Sequence, residues 1–416
     1  MGKSKIIICS LLIFSIFFFK LSYFGVSPTE SGWFTNACFL LLAVLLCKDC
    51  RVFINKEYLW INLSLLVFSI ISIISVEANV DYIQTLSVQY SDGEYISGVT
   101  SSKNVLYTSL GLLMSAVFIE NNTDSGKLRI MLKTLFYCMG ILLIPVNIDA
   151  MKHVVVFDDI EGYMVGNKFT VCYLNLYFCV IYYMIHPILA YKQKCLLLLF
   201  ILMLAVVSIH TQCTTTLLGA AVLGVLAFFS NNNTKKCLSS VKMVFITLFI
   251  CDILFFFFTP WFLQFEFVQD FIVNVLHEDL TLTGRLNIYL DIQDAFGESP
   301  WIGYGVGNSN MISRMYTGAF DAQNGLADLF IQFGALGCSS FLMIIFLLVR
   351  QIRNKYNIVY PIVVFIYSIF AISMVEIPFK HSFVFFLLML LQKQNETNLS
   401  KVTTQHPYKS NYSAPL

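Results

Sequence analysis

The sequence predicts an all-α integral membrane protein, and three observations carry that prediction. Of its 416 residues, 57% are hydrophobic and only 12% charged, too little polar surface to cover a water-soluble globule of this size. Mean hydropathy is +0.74. The apolar residues gather in long runs, each near the roughly 20 residues that a helix needs to cross hydrocarbon. Basic residues then sort onto alternate connections between those runs.

Taken in order, the runs lie near 6–24, 32–47, 58–76, 105–119, 130–146, 169–190, 195–210, 214–229, 241–259, 324–349, 358–375 and 379–392, which gives about twelve transmembrane helices. The first run follows Lys3 and Lys5 as a secretory signal would. Lys20 interrupts it and no small-residue cleavage site follows, so it is read as an uncleaved first span. With the N-terminus inside, the segments around Lys3, Lys48, Lys127, Lys192, Lys235, Arg350 and Lys393 take nineteen of the 26 basic residues, leaving seven outside. The excess of Lys and Arg on cytoplasmic segments places both termini in the cytoplasm.

This divides the chain into spans one to nine over 1–260, one large outer loop over 261–323 between spans nine and ten, spans ten to twelve over 324–393, and a polar tail over 394–416. The tail is expected to be disordered. Acidic residues of the other outer loops (Glu77, Asp81, Asp92, Glu94, Asp149, Asp158, Asp159 and Glu161) read as solvated surface. Five Asn-x-Ser/Thr triplets fall on inside segments and so are not read as glycosylation sites. A net charge of +1 points to no nucleic acid partner; the expected surroundings are a lipid bilayer. Most of the twelve cysteines stand singly in apolar runs, where a thiol is a small hydrophobe. Cys47 and Cys50 have Cys-x-x-Cys spacing but no second pair to complete a metal site.

Chemistry concentrates in Thr281–Gln332, which reads TLTGRLNIYLDIQDAFGESPWIGYGVGNSNMISRMYTGAFDAQNGLADLFIQ. The Gly303-Tyr304-Gly305-Val306-Gly307 run lacks the strand-loop-helix setting of a nucleotide loop. Its glycines are read instead as backbone lying close to the membrane surface or to a ligand. Arg285 and Arg314 stand against the charge bias of an outer loop. A guanidinium binds phosphate oxygens through paired, charge-assisted hydrogen bonds, so a lipid-linked phosphate is one reading; pairing with Asp291, Asp294 or Glu298 is the other.

Asn324, Asp328 and Gln332 recur every four residues and share one helical face entering the membrane. That face is read as cavity lining, or as a helix-helix hydrogen-bonding seam in the case of Gln332. Asp252, deep in span nine, and His210, at the outer end of span seven, are read first as packing partners. Trp301, Tyr304, Tyr289 and Tyr316 are read as aromatics at the membrane surface, fit either to anchor the loop there or to stack on a sugar ring.

At these residues the sequence resembles the O-antigen ligase and Wzy-type polysaccharide polymerase superfamily. The matching pattern is Thr283-Gly284-Arg285, then Ser299-Pro300-Trp301-Ile302-Gly303-Tyr304-Gly305, then Gln323-Asn324 opening a span, with Gly334 and Gly337 beyond. The resemblance implies a multi-pass enzyme of the bacterial inner membrane, with a cavity open to the periplasm and no cofactor or required metal. It transfers glycan from an undecaprenyl-pyrophosphate-linked oligosaccharide to an acceptor hydroxyl. It implies that Arg285 holds the donor pyrophosphate, with Arg314 a weaker carry-over. Tyr304, Trp301, Asn324, Gly303 and Gly305 are the further candidate substrate-binding residues.

Ligases of the family carry a histidine where this chain has Gln323, and Thr211-Gln212-Cys213-Thr214 lacks an arginine that members often have there. Both differences favour the polymerase of O-antigen or capsule synthesis over the ligase that passes finished glycan to lipid A core. Chemically, the transfer needs charge neutralisation and alignment, because pyrophosphate leaves as a stable anion. Asp321 and Asp328 are the candidate bases for the acceptor hydroxyl, and Gln323 a group that orients it. A chain-length regulator is a candidate protein partner. A flippase for the same lipid-linked sugar is the rival of another class. It would concentrate polar residues at mid-membrane, often in repeated halves; no repeat is found, and the polar residues lie in one outer loop.

Overall fold

The computed structural model describes residues 1–89, 102–123, 125–152, 162–262, 265–266, 269, 285–352 and 356–391. The side chain of Arg285, the acidic residues Asp92, Glu94, Asp158, Asp159 and Glu161, and the tail 394–416 lie outside the described residues.

Among the described residues the regular secondary structure is helical, apart from one isolated bridge between Tyr163 and Gly166. The helices are α1 Lys3–Phe17, α2 Pro28–Leu46, α3 Leu59–Gln89, α4 Ser102–Asn121, α5 Ser125–Lys152, α6 Lys168–Ile185, α7 Tyr191–His210, α8 Thr214–Phe229 and α9 Asn232–Leu238. Next comes α10 Val241–Leu248, which passes through a π-helical stretch, Phe249–Leu254, into α11 Phe255–Phe262. The described part of the large loop holds α12 Arg285–Glu298 and α13 Ser309–Thr317. The chain closes with α14 Gly325–Arg350, α15 Tyr356–Ser373 and α16 His381–Leu388.

Seven of these helices are long and apolar enough to cross a membrane, and three shorter apolar ones accompany them. The chain is a multi-pass helical membrane protein. Each of the twelve apolar runs in the sequence falls on a helix, but not with the expected bounds: the first helix stops at Phe17, and a 3-10 turn, Leu21–Phe24, follows Lys20. Polar caps set the starts. Ser27 accepts from Glu30 N–H ahead of Pro28, Asn167 from Thr170 N–H, and Ser240 from Met243 N–H, each satisfying a donor that the first helical turn leaves free.

The surface follows the solvent. Helices α5 and α7 turn Ile141, Ile144, Leu199, Val206 and Ile209 outward, all more than half exposed, which is favourable only where the surroundings are hydrocarbon. In contrast, α15 and α16 are buried along nearly their whole length and form the centre of the bundle. Helix α8 packs on α15. It comes close because Gly219 has no side chain: a Cβ there would stand 2.5 Å from Ile372 Cδ1, and small residues at such a seam let backbones approach.

Three readings from the sequence need correction. Tyr289 and Tyr304 are not surface aromatics but fully buried ones, at 0% and 3% exposure. His210, read as a packing partner, is exposed at the end of α7. Local composition places an aromatic near an interface; which way it turns depends on helices far away in the sequence.

Candidate active site

The site is built around a break in α14. At Gly334 the backbone takes φ 60° and ψ −166°, a conformation essentially reserved for glycine. The break releases carbonyls before it and N–H groups after it, and at membrane depth such groups have no water to turn to. The segment Pro300–Gly305 satisfies them. Tyr304 N donates to Ile331 O at 2.7 Å and Gly305 N to Gln332 O at 3.0 Å; Ala335 N donates to Pro300 O at 2.8 Å and Leu336 N to Trp301 O at 3.0 Å.

Gly303, at φ 65°, makes room for this crossing, since a Cβ on it would stand 2.5 Å from Ile331 O. A Cβ on Gly334 would stand 2.5 Å from Ile302 N. Helix α3 clamps the crossing from the side. The Ser75 hydroxyl lies between Ile302 O (2.5 Å) and Gln332 O (2.9 Å), and Asn79 Nδ2 donates to Gly303 O at 2.9 Å. The close backbone approach foreseen for the glycines is therefore an approach to the chain's own broken helix. Gly305, at φ 98°, packs against Val76 and Asn308. Tyr304 donates its hydroxyl to Ala295 O at 3.0 Å, and burial pushes its pKa above the ordinary value. Trp301 is 66% exposed.

One turn earlier, the same helix face presents polar groups. Gly307 N donates to Gln332 Oε1 at 3.0 Å, and Gln332 Nε2 donates to Asp328 Oδ2 at 2.6 Å. This anchors one oxygen of the Asp328 carboxylate. Its other oxygen, Oδ1, is buried without a hydrogen bond among the described residues. Asp328, Gln332, Asp321, Ser309, Asn310 and Glu376 line a cavity of about 350 Å³. Lys380, Tyr173 and His381 line both this cavity and a neighbouring one of about 570 Å³, which Lys20 also lines. The Lys380 pKa is held below the ordinary lysine value, first by burial and then by the charge of Lys20, with Asp328, Glu376 and Asp321 acting in the opposite direction.

The expected site residues are thus only partly brought together. Asp321 and Asp328 share the cavity wall. Asn324 is fully buried and caps α14, accepting from Leu326 N at 3.1 Å and Ala327 N at 3.0 Å, while its amide donates to Met374 O at 3.3 Å. Gln323, at φ 47°, donates its N–H to Asp321 Oδ1 and accepts from the Tyr289 hydroxyl, each at 3.0 Å. Arg314 lies over the Phe320 ring at 5.0 Å, and Phe320 lines the smaller cavity. Arg285 opens α12. Lys20, Lys380, Glu376 and Tyr173 were not foreseen; Lys20 and Lys380 belong to the seven basic residues left on the outside.

Helical spans thus surround a two-part polar cavity with three carboxylates in the wall of its smaller part. Residues 197–342, from α7 into α14, match the family model described as O-antigen ligase. No curated protein matches the chain.

Proposed function

We propose that the chain is a membrane glycosyltransferase that joins undecaprenyl-pyrophosphate-linked oligosaccharide repeat units on the outer face of a bacterial inner membrane, supplying O-antigen or capsule. The family match carries the glycan-transfer part of this reading. The choice of polymerase rests on Gln323, where ligases of the family carry a histidine. A glutamine cannot take a proton at neutral pH, so it cannot serve as a base. The description of the matching family favours a second reading, a ligase that passes glycan to lipid A core or another acceptor.

In the proposed mechanism Asp328 takes the acceptor proton. Gln332 holds one of its oxygens and leaves the other free, the arrangement a base needs in order to meet an incoming hydroxyl. Arg285 supplies part of the positive charge that neutralises the departing diphosphate, and twelve spans with both termini inside carry the site on the outer face.

Deletion of the gene separates the two enzyme readings. For a polymerase, glycans of single-repeat length remain attached to the cell surface, because a separate ligase still acts. Long polymer retained on the undecaprenyl carrier, with none on the acceptor, would instead establish the ligase. Topology is tested by impermeant maleimide labelling after the exposed Cys47, Cys195 and Cys237 are replaced. Trp301→Cys is expected to react in intact cells whose outer membrane has been permeabilised, and Lys235→Cys only after lysis. The reverse pattern would end the proposal, since the substrate is presented outside.

A further inference from the structure

The two cavities that meet at Lys380 carry opposite charge. The smaller is lined by three carboxylates, Asp321, Asp328 and Glu376. The larger has no carboxylate in its wall; it has Lys20, Lys380 and His381, a rim rich in hydroxyl and amide groups, and an apolar floor that includes Phe17, Phe18 and Phe39. Lys20 follows α1, and Lys380 lies in the connection from α15 to α16. Neither makes an ion pair with a carboxylate among the described residues; Lys380 instead lies over the Tyr173 ring at 5.8 Å. Two ammonium groups lining one cavity, at a concave wall without a carboxylate, make a site for an anion with more than one negative oxygen.

We infer that the larger cavity is the donor site. Lys20 and Lys380 hold the diphosphate of a prenyl-linked glycan there, and the smaller, carboxylate-lined cavity receives the acceptor sugar. The inference rests on the glycan-transfer reading above and adds the residues and the side from which the donor enters. Both lysines lie outside the family-matched stretch 197–342. The reaction then runs across the shared wall. The acceptor hydroxyl oxygen bonds to the anomeric carbon of the donor, and the bond from that carbon to the diphosphate oxygen breaks. Its electron pair leaves with the diphosphate toward the lysines, and the hydroxyl proton passes to a carboxylate of the smaller cavity. The apolar floor accommodates the first isoprene units.

The test uses the purified full-length protein in detergent, titrated calorimetrically with inorganic pyrophosphate and with farnesyl pyrophosphate. Wild type is expected to bind both, farnesyl pyrophosphate more tightly. Lys20→Ala and Lys380→Ala are each expected to weaken pyrophosphate binding by about tenfold, the loss of one charge-assisted contact. Lys380→Arg should retain binding, and so should Lys152→Ala, at an exposed lysine that lines neither cavity. Equal pyrophosphate affinity in wild type, Lys20→Ala and Lys380→Ala, or no binding to wild type, would overturn the site. Equal affinity of wild type for the two ligands would overturn its lipid-linked assignment. These outcomes are separate from the deletion phenotype. Lysine-dependent binding alongside unchanged surface glycan would keep the diphosphate site and end the glycan reading, whereas lysine-independent binding alongside lost polymer would do the opposite.

Discussion

Gly334→Ala is expected to leave little folded protein. Holding alanine at φ 60° and ψ −166° costs about 1–3 kcal/mol in backbone strain alone. The new Cβ would also stand 2.5 Å from Ile302 N, so the crossing must open. Opening it breaks four backbone hydrogen bonds, and each polar group left unpaired in an apolar setting costs a further ~1–3 kcal/mol. The total rivals the whole margin of a folded domain, about 5–15 kcal/mol. Gly303→Ala should behave alike, because its Cβ would meet Ile331 O from the other side. Gly224→Ala and Gly297→Ala are the controls. They lie in helices, with nothing nearer than 4.0 Å to the added carbon, and alanine is the better helix former by roughly 1 kcal/mol. Size-exclusion profiles and melting temperatures in detergent report the difference. A Gly334→Ala protein that elutes and melts like Gly224→Ala would show that the crossing does not support the fold.

This crossing also shows where a sequence becomes unreadable. The run Ser299–Gly307 announces close backbone approach through its glycines, but not what is approached. Gly334, the other half, sits in an apolar run where a lone glycine passes for a tolerated helix residue. Only the two together define the contact, and they are joined by pairing that local pattern does not encode. The repeat of four in Asn324, Asp328 and Gln332 was legible because it lies on one helix ahead of the break. Even so, it did not distinguish Asn324, which caps the helix, from Asp328 and Gln332, which reach the cavity wall. Lys20 and Lys380 were visible as exceptions to the inside excess of positive charge. Their meeting at one cavity depends on the end of the first helix reaching the last, where Phe17 and Phe18 meet Phe385, which their positions near opposite ends of the chain conceal.

A graded loss of activity is expected across four positions of the proposed site, read as polymer length and rate in a deletion strain complemented with each variant. Arg285→Ala should give no polymer and Arg285→Lys little, because an ammonium cannot reproduce the planar two-pronged contact of guanidinium with phosphate. Asp328→Asn should lower the rate roughly 100-fold or more, the usual cost of removing a base, while the amide still accepts from Gln332 and preserves the local packing. Asp321→Asn should cost far less, since an amide oxygen can still accept the Gln323 N–H that Asp321 now takes at 3.0 Å. Gln323→Ala should remove no more than a hydrogen bond, ~1 kcal/mol, because its main-chain contacts with Asp321 and Tyr289 survive the substitution. Each variant is compared at matched membrane levels, so that lost folding is not read as lost chemistry. Full polymer from Arg285→Ala would dismiss the donor clamp. A large loss in Asp321→Asn with Asp328→Asn spared would move the base to Asp321, and with it the direction from which the acceptor hydroxyl enters.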